Sequence, residues 1–499
     1  MNGFDYAWAA LTTTPAAFAA VGGVIWGMVG GALPGISASI AMALLLPFTY
    51  GMEPVVAITL LASTYVGAEY GHSIPAILIN TPGTHAAAAT VADGYAMQRQ
   101  GKGGEALGIS LAVGVLGGLG GLALLVGVTE PLADFALLFR PPAYFALGIL
   151  GISVIATLTD GSLVKGFISG CIGLMIATVG TDPISGVSRY TFNQPELLDG
   201  IRYLLVMIGV YAIAELFTQA SQPEWERVST SIRIKLPNWA MWKQILPSTL
   251  IGFGIGAFEG CMPGAGGSVA SFMAYNEAKR WSSNREQFGH GAPGGVAAPE
   301  AANNTVACTT LIPTLSFGIP ASNSTAVLLG GLLLHGLVPG PLLFTNHPDF
   351  VYGLFGGLLV ANISLLVVGI LFMTPCLWLV SRPRPYLMAG IYAVVFSGVF
   401  AISNDSFDLA LILGAAVLGY GMRYFKFPLL PLVLGLILGY MIESNLRRSL
   451  VLSSGSYTIF VEDPVSATLL GIAVLFVGIA WVRNITSARA SAKEAAATA

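Results

Sequence analysis

Apolar runs long enough to cross or re-enter a bilayer recur along the chain, near residues 17–33, 36–50, 55–68, 106–128, 143–158, 163–180 and 203–221. After a polar stretch they resume near 246–258, 296–312, 324–345, 350–374, 386–402, 408–421 and 427–442, with a last run at 465–482. A spanning helix needs ~20 residues, so the shorter runs must be half-helices or re-entrant pieces, and roughly 10 to 13 spanning elements are expected. The longest polar stretches are Gln222–Lys243, Asn276–Gly294 and the tail after Arg483. The pattern predicts an all-α polytopic membrane protein with no soluble domain.

Composition points the same way. Of 499 residues, 55% are hydrophobic and 9% charged, against about 25% charged in a soluble chain. A soluble fold of this length must keep much of its surface polar. A soluble enzyme, a nucleic-acid binder and a disordered scaffold are therefore excluded. The net charge of −3 says little about partners. Glycine (62) and proline (28) are spread through the apolar segments, where they serve close helix packing and breaks that line polar cavities. Cys171, Cys261, Cys308 and Cys376 stand singly, so neither a disulfide framework nor a cysteine metal site is expected. The chain's start lacks the basic region of a cleaved signal peptide, so its first apolar segment is expected to remain as a helix.

The two halves resemble each other. Gly31-Ala32-Leu33-Pro34-Gly35 faces Gly260-Cys261-Met262-Pro263-Gly264, Glu69 faces Glu300, and Asn80-Thr81-Pro82-Gly83-Thr84 faces Gly318-Ile319-Pro320-Ala321-Ser322. Further on, Arg140-Pro141 matches Arg384-Pro385, and Asp160 and Pro183 match Asp405 and Pro428. The separation between matched residues never shrinks along the chain, as insertions in one copy would produce. A duplication follows, with residues 1–221 as first repeat, 222–245 as a basic, Trp-containing interfacial linker, 246–450 as second repeat, and 451–499 as an extra helix and polar tail. The loop Gly94–Glu105 carries Arg99 and Lys102 while its counterpart around Gly331–Asp349 has neither Lys nor Arg. Conversely, Asn276–Gly289 carries Lys279, Arg280 and Arg285 while Tyr50–Pro54 has none. Because basic loops stay on the cytoplasmic side, the repeats are expected to be inverted.

Four places combine a Pro/Gly break, small polar residues and an apolar helical run. They are Pro34-Gly35-Ile36-Ser37-Ala38-Ser39, Asn80-Thr81-Pro82-Gly83-Thr84, Pro263-Gly264-Ala265-Gly266-Gly267-Ser268 and Gly318-Ile319-Pro320-Ala321-Ser322-Asn323-Ser324. Each reads as a helix N-terminus, whose unpaired N–H groups and dipole favour an anion. Broken helices at matching positions of two repeats point to a transporter's central site. The alternative is that these residues only pack and kink helices.

Charged residues inside a membrane are costly, which singles out Glu69 and Glu300. With Asn80, Asn303 and Asn304 they are candidate ion-coupling residues, for Na⁺ or H⁺, or else they cap nearby backbone. Asp160 and Asp405 read as helix-end caps. The five histidines show no metal-ligand spacing. Gly35-Ile36-Ser37-Ala38 loosely resembles a rhomboid nucleophile, with His72 or His85 as a possible base, but the second copy has Gly266 where the serine would be. That hydrolase and an ion channel are the alternatives to a transporter.

With these residues in view, the chain resembles the large membrane subunit of tripartite tricarboxylate transporters (the TctA-type permease) over about residues 15–450. The likeness is carried by Gly31-Ala32-Leu33-Pro34-Gly35, Asn80-Thr81-Pro82-Gly83-Thr84, Phe317-Gly318-Ile319-Pro320, and Asp93-Gly94-Tyr95 with Gly101-Lys102-Gly103-Gly104-Glu105-Ala106-Leu107. Ala96 departs from the proline usual after that tyrosine. The resemblance implies secondary transport of di- and tricarboxylates, and in some members aromatic carboxylates, coupled to Na⁺ or H⁺ with no cofactor. It also implies a small membrane subunit of about four helices, a periplasmic solute-binding protein that delivers substrate, and residence in a bacterial inner membrane. On this view the carboxylate lies between the repeat halves, bound by N–H groups at Gly35, Gly83, Gly264 and Ala321 with Ser37, Thr84, Ser268, Ser322 and Asn323. One half then moves against the other to open the site inward.

Overall fold

The computed structural model describes residues 14–33, 35–158, 162–182, 186–220, 232–262, 264, 266–381, 384–403 and 405–498. Pro34, Asp160, Pro183, Pro263, Ala265 and much of the expected linker lie outside these residues. The labelled helices are α1 (Thr14–Ala32), α2 (Ala38–Thr49), α3 (Pro54–Gly71), α4 (Ser73–Ile79), α5 (His85–Arg99), α6 (Gly103–Ala136), α7 (Pro141–Leu158), α8 (Leu163–Ala177) and α9 (Tyr203–Ala220). They continue as α10 (Trp239–Gly260), α11 (Gly266–Trp281), α12 (Pro293–Thr309), α13 (Leu311–Phe317), α14 (Asn323–Leu334), α15 (Pro348–Leu371), α16 (Arg384–Ser403), α17 (Ser406–Tyr424), α18 (Leu429–Leu452) and α19 (Pro464–Thr498). Among the described residues, 7 helices are long and apolar enough to span a membrane. That is fewer than the apolar runs suggested, because several runs are split by breaks into helices too short to cross alone. The protein is an all-α, multi-pass membrane protein.

By contact, the chain forms two compact units, each drawing on both sequence halves: Met1–Ala136 with Met207–Val417, and Leu137–Val206 with Leu418–Ala499. In the first unit, α1 packs on α3 and α10 packs on α12, and both pairs are built alike. Gly23, Gly27 and Gly31 recur every four residues on one face of α1, against the carbonyls of Leu60, Thr64 and Ala68. Gly252, Gly256 and Gly260 do the same on α10, against the carbonyls of Ala298 and Ala302 and the Thr309 hydroxyl. A Cβ at Gly27 or Gly256 would overlap those carbonyls. In lipid, helices associate through such backbone-to-backbone packing and through interhelical hydrogen bonds. Thr305 and Thr309 of α12 supply the latter, donating to the Gly117 carbonyl at 3.1 Å and the Gly256 carbonyl at 3.2 Å.

The breaks also recur. Helix α4 ends at Asn80 in the left-handed region (φ 56°), and α5 begins after Thr84. Helix α13 ends at Gly318 (φ 72°), and α14 begins after Ser322. Gly35 and Gly264, ahead of α2 and α11, share φ values of 84° and 89°, a conformation that any Cβ opposes. Pro82 and Pro320 stand in the connections, two residues ahead of the caps. Helix α10 starts at Trp239, earlier than its apolar run, because the Asn238 side chain caps it by accepting from the Met241 N–H at 2.9 Å. Residues Gly94–Arg99 continue α5, so the basic loop shrinks to Gln100–Lys102. Asp405 does cap, accepting from the Phe407 N–H at 2.9 Å.

The second unit holds α7, α8, α18 and α19. Gly173 lies against the Leu432 carbonyl and Gly435 against that of Gly170, bringing α8 close to α18. After α8, residues Gly180–Thr181 pair antiparallel with Ser188–Arg189. Buried Asp182 faces Arg189 at 3.7 Å and Arg447 at 2.9 Å, and Glu443 lies 2.7 Å from each of those arginines. Four charges thus neutralise one another where one of them is almost fully buried.

Candidate functional site

All four interrupted helix starts lie in the first unit. Ser37 caps α2, its hydroxyl accepting from Ile40 N–H at 3.4 Å and bonding Ser39 Oγ at 2.8 Å. Thr84 caps α5 by accepting from Ala87 N–H at 3.4 Å. Ser322 and Thr325 form a reciprocal capping box on α14. Gly267 and Ser268 fall inside the first turn of α11. Asn80 and Thr81 close the preceding turn, both N–H groups donating to the Pro75 carbonyl.

Hydrogen bonds tie two of these starts to each other and the fourth to neighbouring helices. Gly264 N–H donates to the Ala321 carbonyl at 3.0 Å, joining the two second-half breaks. This N–H is therefore spent within the protein and is not free for an anion, contrary to the sequence reading. Among the described residues, the N–H groups of Gly35, Gly83 and Ala321 have no protein acceptor. Tyr65 Oη lies 3.5 Å from Ser322 Oγ, and Tyr211 donates to Asn323 Oδ1 at 3.1 Å. Tyr211 sits in a π-helical stretch of α9, Ile208–Ile213, an irregularity frequent at functional sites. A Cβ on Gly35 would lie 2.6 Å from Gln219 Nε2 and 3.4 Å from Glu215 Oε1, so α9 covers that start. Gly35, Asn80, Pro82 and Asn323 are exposed, while Ser39, Pro320, Ala321 and Ser324 are buried.

The two carboxylates have different surroundings. Glu300 accepts three hydroxyl hydrogen bonds, from Thr90 at 2.5 Å, Ser73 at 2.6 Å and Ser110 at 2.8 Å. Its partners come from α5, α4 and α6, so this carboxylate pins three elements to α12. Asn304 donates to the Glu300 backbone carbonyl at 2.9 Å. Glu69 accepts one bond, from Asn303 Nδ2 at 2.6 Å, and keeps 10% of its side chain exposed. Asn303 also borders the third start, since a Cβ at Gly267 would overlap its Oδ1. His72, fully buried between α3 and α4, places Nε2 3.2 Å from the Ile36 carbonyl and Nδ1 3.7 Å from Glu69 Oε2.

The sequence reading passed over three of these groups and gave a fourth another role. Tyr65, Tyr211 and Gln219 carry no spacing signal, because they arrive from helices apart from the breaks. His72 was considered only as a base or a metal ligand, although its place three residues after Glu69, at the end of the same helix, was legible. It donates to the Ile36 carbonyl and not to Ser37 Oγ, so no Ser–His pair forms. Among the described residues, no group of three or more His, Cys, Asp or Glu side chains is placed to hold a metal ion.

Interrupted helices with polar starts, in one unit with two buried carboxylates, are an arrangement that membrane transport proteins use. The chain belongs to the tripartite tricarboxylate transporter TctA family, whose model matches residues 17–434. It is a subunit of a transporter, and the family implies partner subunits. The chain is 36% identical to an uncharacterized 52.8 kDa protein of the TAR-I ttuC′ 3′ region of Agrobacterium vitis, over 94% of this chain and 93% of the relative. It is 37% identical to a protein of the TAR-II ttuC′ 3′ region of the same organism, over 47% of this chain and 97% of the relative. No solved structure matches it.

Proposed function

We infer that the protein is the large membrane subunit of a secondary transporter that imports di- and tricarboxylate anions across a bacterial inner membrane. A periplasmic binding protein delivers the anion, a small membrane subunit of about four helices completes the complex, and a Na⁺ or H⁺ gradient drives uptake. The observation that carries this reading is the gathering of four broken helix starts in one unit. There, free N–H groups at Gly35, Gly83 and Ala321 and the side chains of Ser37, Thr84, Ser322 and Asn323 offer donors to a carboxylate without a fixed cation. Backbone donors read negative charge more than carbon skeleton, which suits a family of related acids.

The repeats are read as inverted. Support comes from the basic connections of the two halves, which meet where Gln100 Nε2 donates to the His290 carbonyl at 2.8 Å. Both then face the cytoplasm, although they are not equivalent positions of the repeats. The repeat boundaries at 1–221 and 246–450 follow from the same reading.

The test is uptake of labelled carboxylates into proteoliposomes holding the chain, its small partner and the binding protein. Gly35→Val introduces a β-branched residue at φ 84° and against Gln219. It should abolish uptake while the variant still inserts and elutes as a single species. Wild-type uptake by that variant would remove the site from this place.

A further inference from the structure

The pair Glu69–His72 is left half-used by the hydrogen bonding around it. A carbonyl can only accept, so His72 Nε2 carries a hydrogen toward Ile36, 3.2 Å away. His72 Nδ1 then presents a lone pair, fully buried and without a partner, to a carboxylate oxygen 3.7 Å away. Two acceptors face each other across a gap that a single proton would bridge. The neighbours of Glu69 do not suit a metal ion, which takes oxygen ligands, because Asn303 turns its Nδ2 donor to the carboxylate.

The ring touches two of the broken starts. It holds the Ile36 carbonyl of the first, and a Cβ on Gly83 of the second would lie 3.0 Å from its Cδ2. Through Glu69 and Asn303 the same pair reaches Gly267 of the third. Of the helices packed most closely on α3, four carry no titratable side chain: α1, α2, α4 and α14. Helix α12 brings Glu300, held by its three hydroxyls, and Cys308. Helix α6 brings Glu105, Glu130 and Asp134, and α15 brings Asp349 and Tyr352, all towards the helix ends. On α3 itself Tyr65 faces Glu69, and Glu215 of α9 lies by Gly35.

We propose that Glu69 and His72 carry the coupling ion, and that this ion is a proton. This rests on the transport reading above. One proton enters and binds Nδ1, the gap closes to a charge-assisted hydrogen bond of ~2.8 Å, and the ring draws on Ile36 and leaves Gly83. When the proton departs to the other side, the neutral ring and free carboxylate return. Each transfer moves one proton and no electrons.

The test uses proteoliposomes of the complete transporter and labelled citrate, succinate and benzoate, with pH and Na⁺ gradients imposed separately. Wild type should accumulate at least one of these acids under a pH gradient without Na⁺. His72→Gln and Glu69→Gln should each lose at least ten-fold of pH-driven accumulation while exchange of labelled for unlabelled substrate stays measurable. Uptake driven by Na⁺ alone, with no response to pH, overturns the proposal and leaves the transport reading standing. So does pH-driven accumulation at wild-type level in both variants, or loss of exchange together with drive in both, which would make the pair a packing element. No uptake by wild type under any gradient overturns the transport reading and the proposal with it.

Discussion

Glu300→Gln separates a carboxylate that holds the fold from one that carries an ion. The native carboxylate accepts from Thr90, Ser73 and Ser110, each within 2.8 Å, and Glu300 is 2% exposed. A glutamine offers one oxygen, which can serve two hydroxyls, and an amide that can only donate. One hydroxyl loses its acceptor, at a cost of about 1–3 kcal/mol, and two charge-assisted bonds become neutral ones, at about 1 kcal/mol each. Relief from burying a charge offsets part of that, leaving a net loss of about 1–3 kcal/mol. Glu300→Ala removes every acceptor and opens a cavity, so it should cost more, about 4 kcal/mol or above. The assay is thermal unfolding in detergent, read by a single elution peak after heating, alongside pH-driven uptake. The expected order of stability is wild type, then Glu300→Gln, then Glu300→Ala, with residual uptake tracking folded protein. A Glu300→Gln variant as stable as wild type but unable to couple uptake to any gradient would refute the reasoning and make Glu300 the ion carrier.

The glycine seams can be tested with matched pairs. Gly27→Leu and Gly256→Leu drive side chains into the Thr64 and Ala302 carbonyls, whereas Gly22→Leu and Gly254→Leu meet open space. The first pair should be recovered aggregated or unfolded, with overpacking costing about 3 kcal/mol or more, and the second pair should elute like wild type. Equal behaviour of all four would contradict the close approach. Asp93 is fully buried, and its Oδ1 accepts from the N–H groups of Gly289, Gly291 and Ala292 at 2.7–2.9 Å while Oδ2 accepts from Tyr275. Asp93→Ala orphans those donors, at about 3 kcal/mol or more in sum. Amide hydrogen exchange at residues 289–292 should accelerate well beyond the protein average, and unchanged protection there would disprove the anchoring role.

What the linear chain determined was the solvent it folds in, the class of its elements and the places where they break. Few charges among long apolar runs leave a bilayer as the only medium that covers the surface. The pairs Gly35/Gly264 and Asn80/Gly318 marked irregular backbone because left-handed φ values select few residues. Glu69 and Glu300 announced themselves by the cost of charge in lipid. The GxxxG spacing of Gly23, Gly27 and Gly31, repeated at Gly252, Gly256 and Gly260, was equally readable, and it marks the helix faces that can pack closely. Partnership across the molecule was not readable. Glu69 and Glu300, paired by the sequence reading, do not occupy matching positions, because Thr64 and Ala302 hold equivalent places in the two glycine seams. One carboxylate is saturated by hydroxyls from three other elements, and the other keeps a single amide and an unpaired histidine. That difference comes from which side chains arrive over separations of roughly 190 to 230 residues, and hydrogen bonds with their short range and strict direction are decided only once the helices have packed.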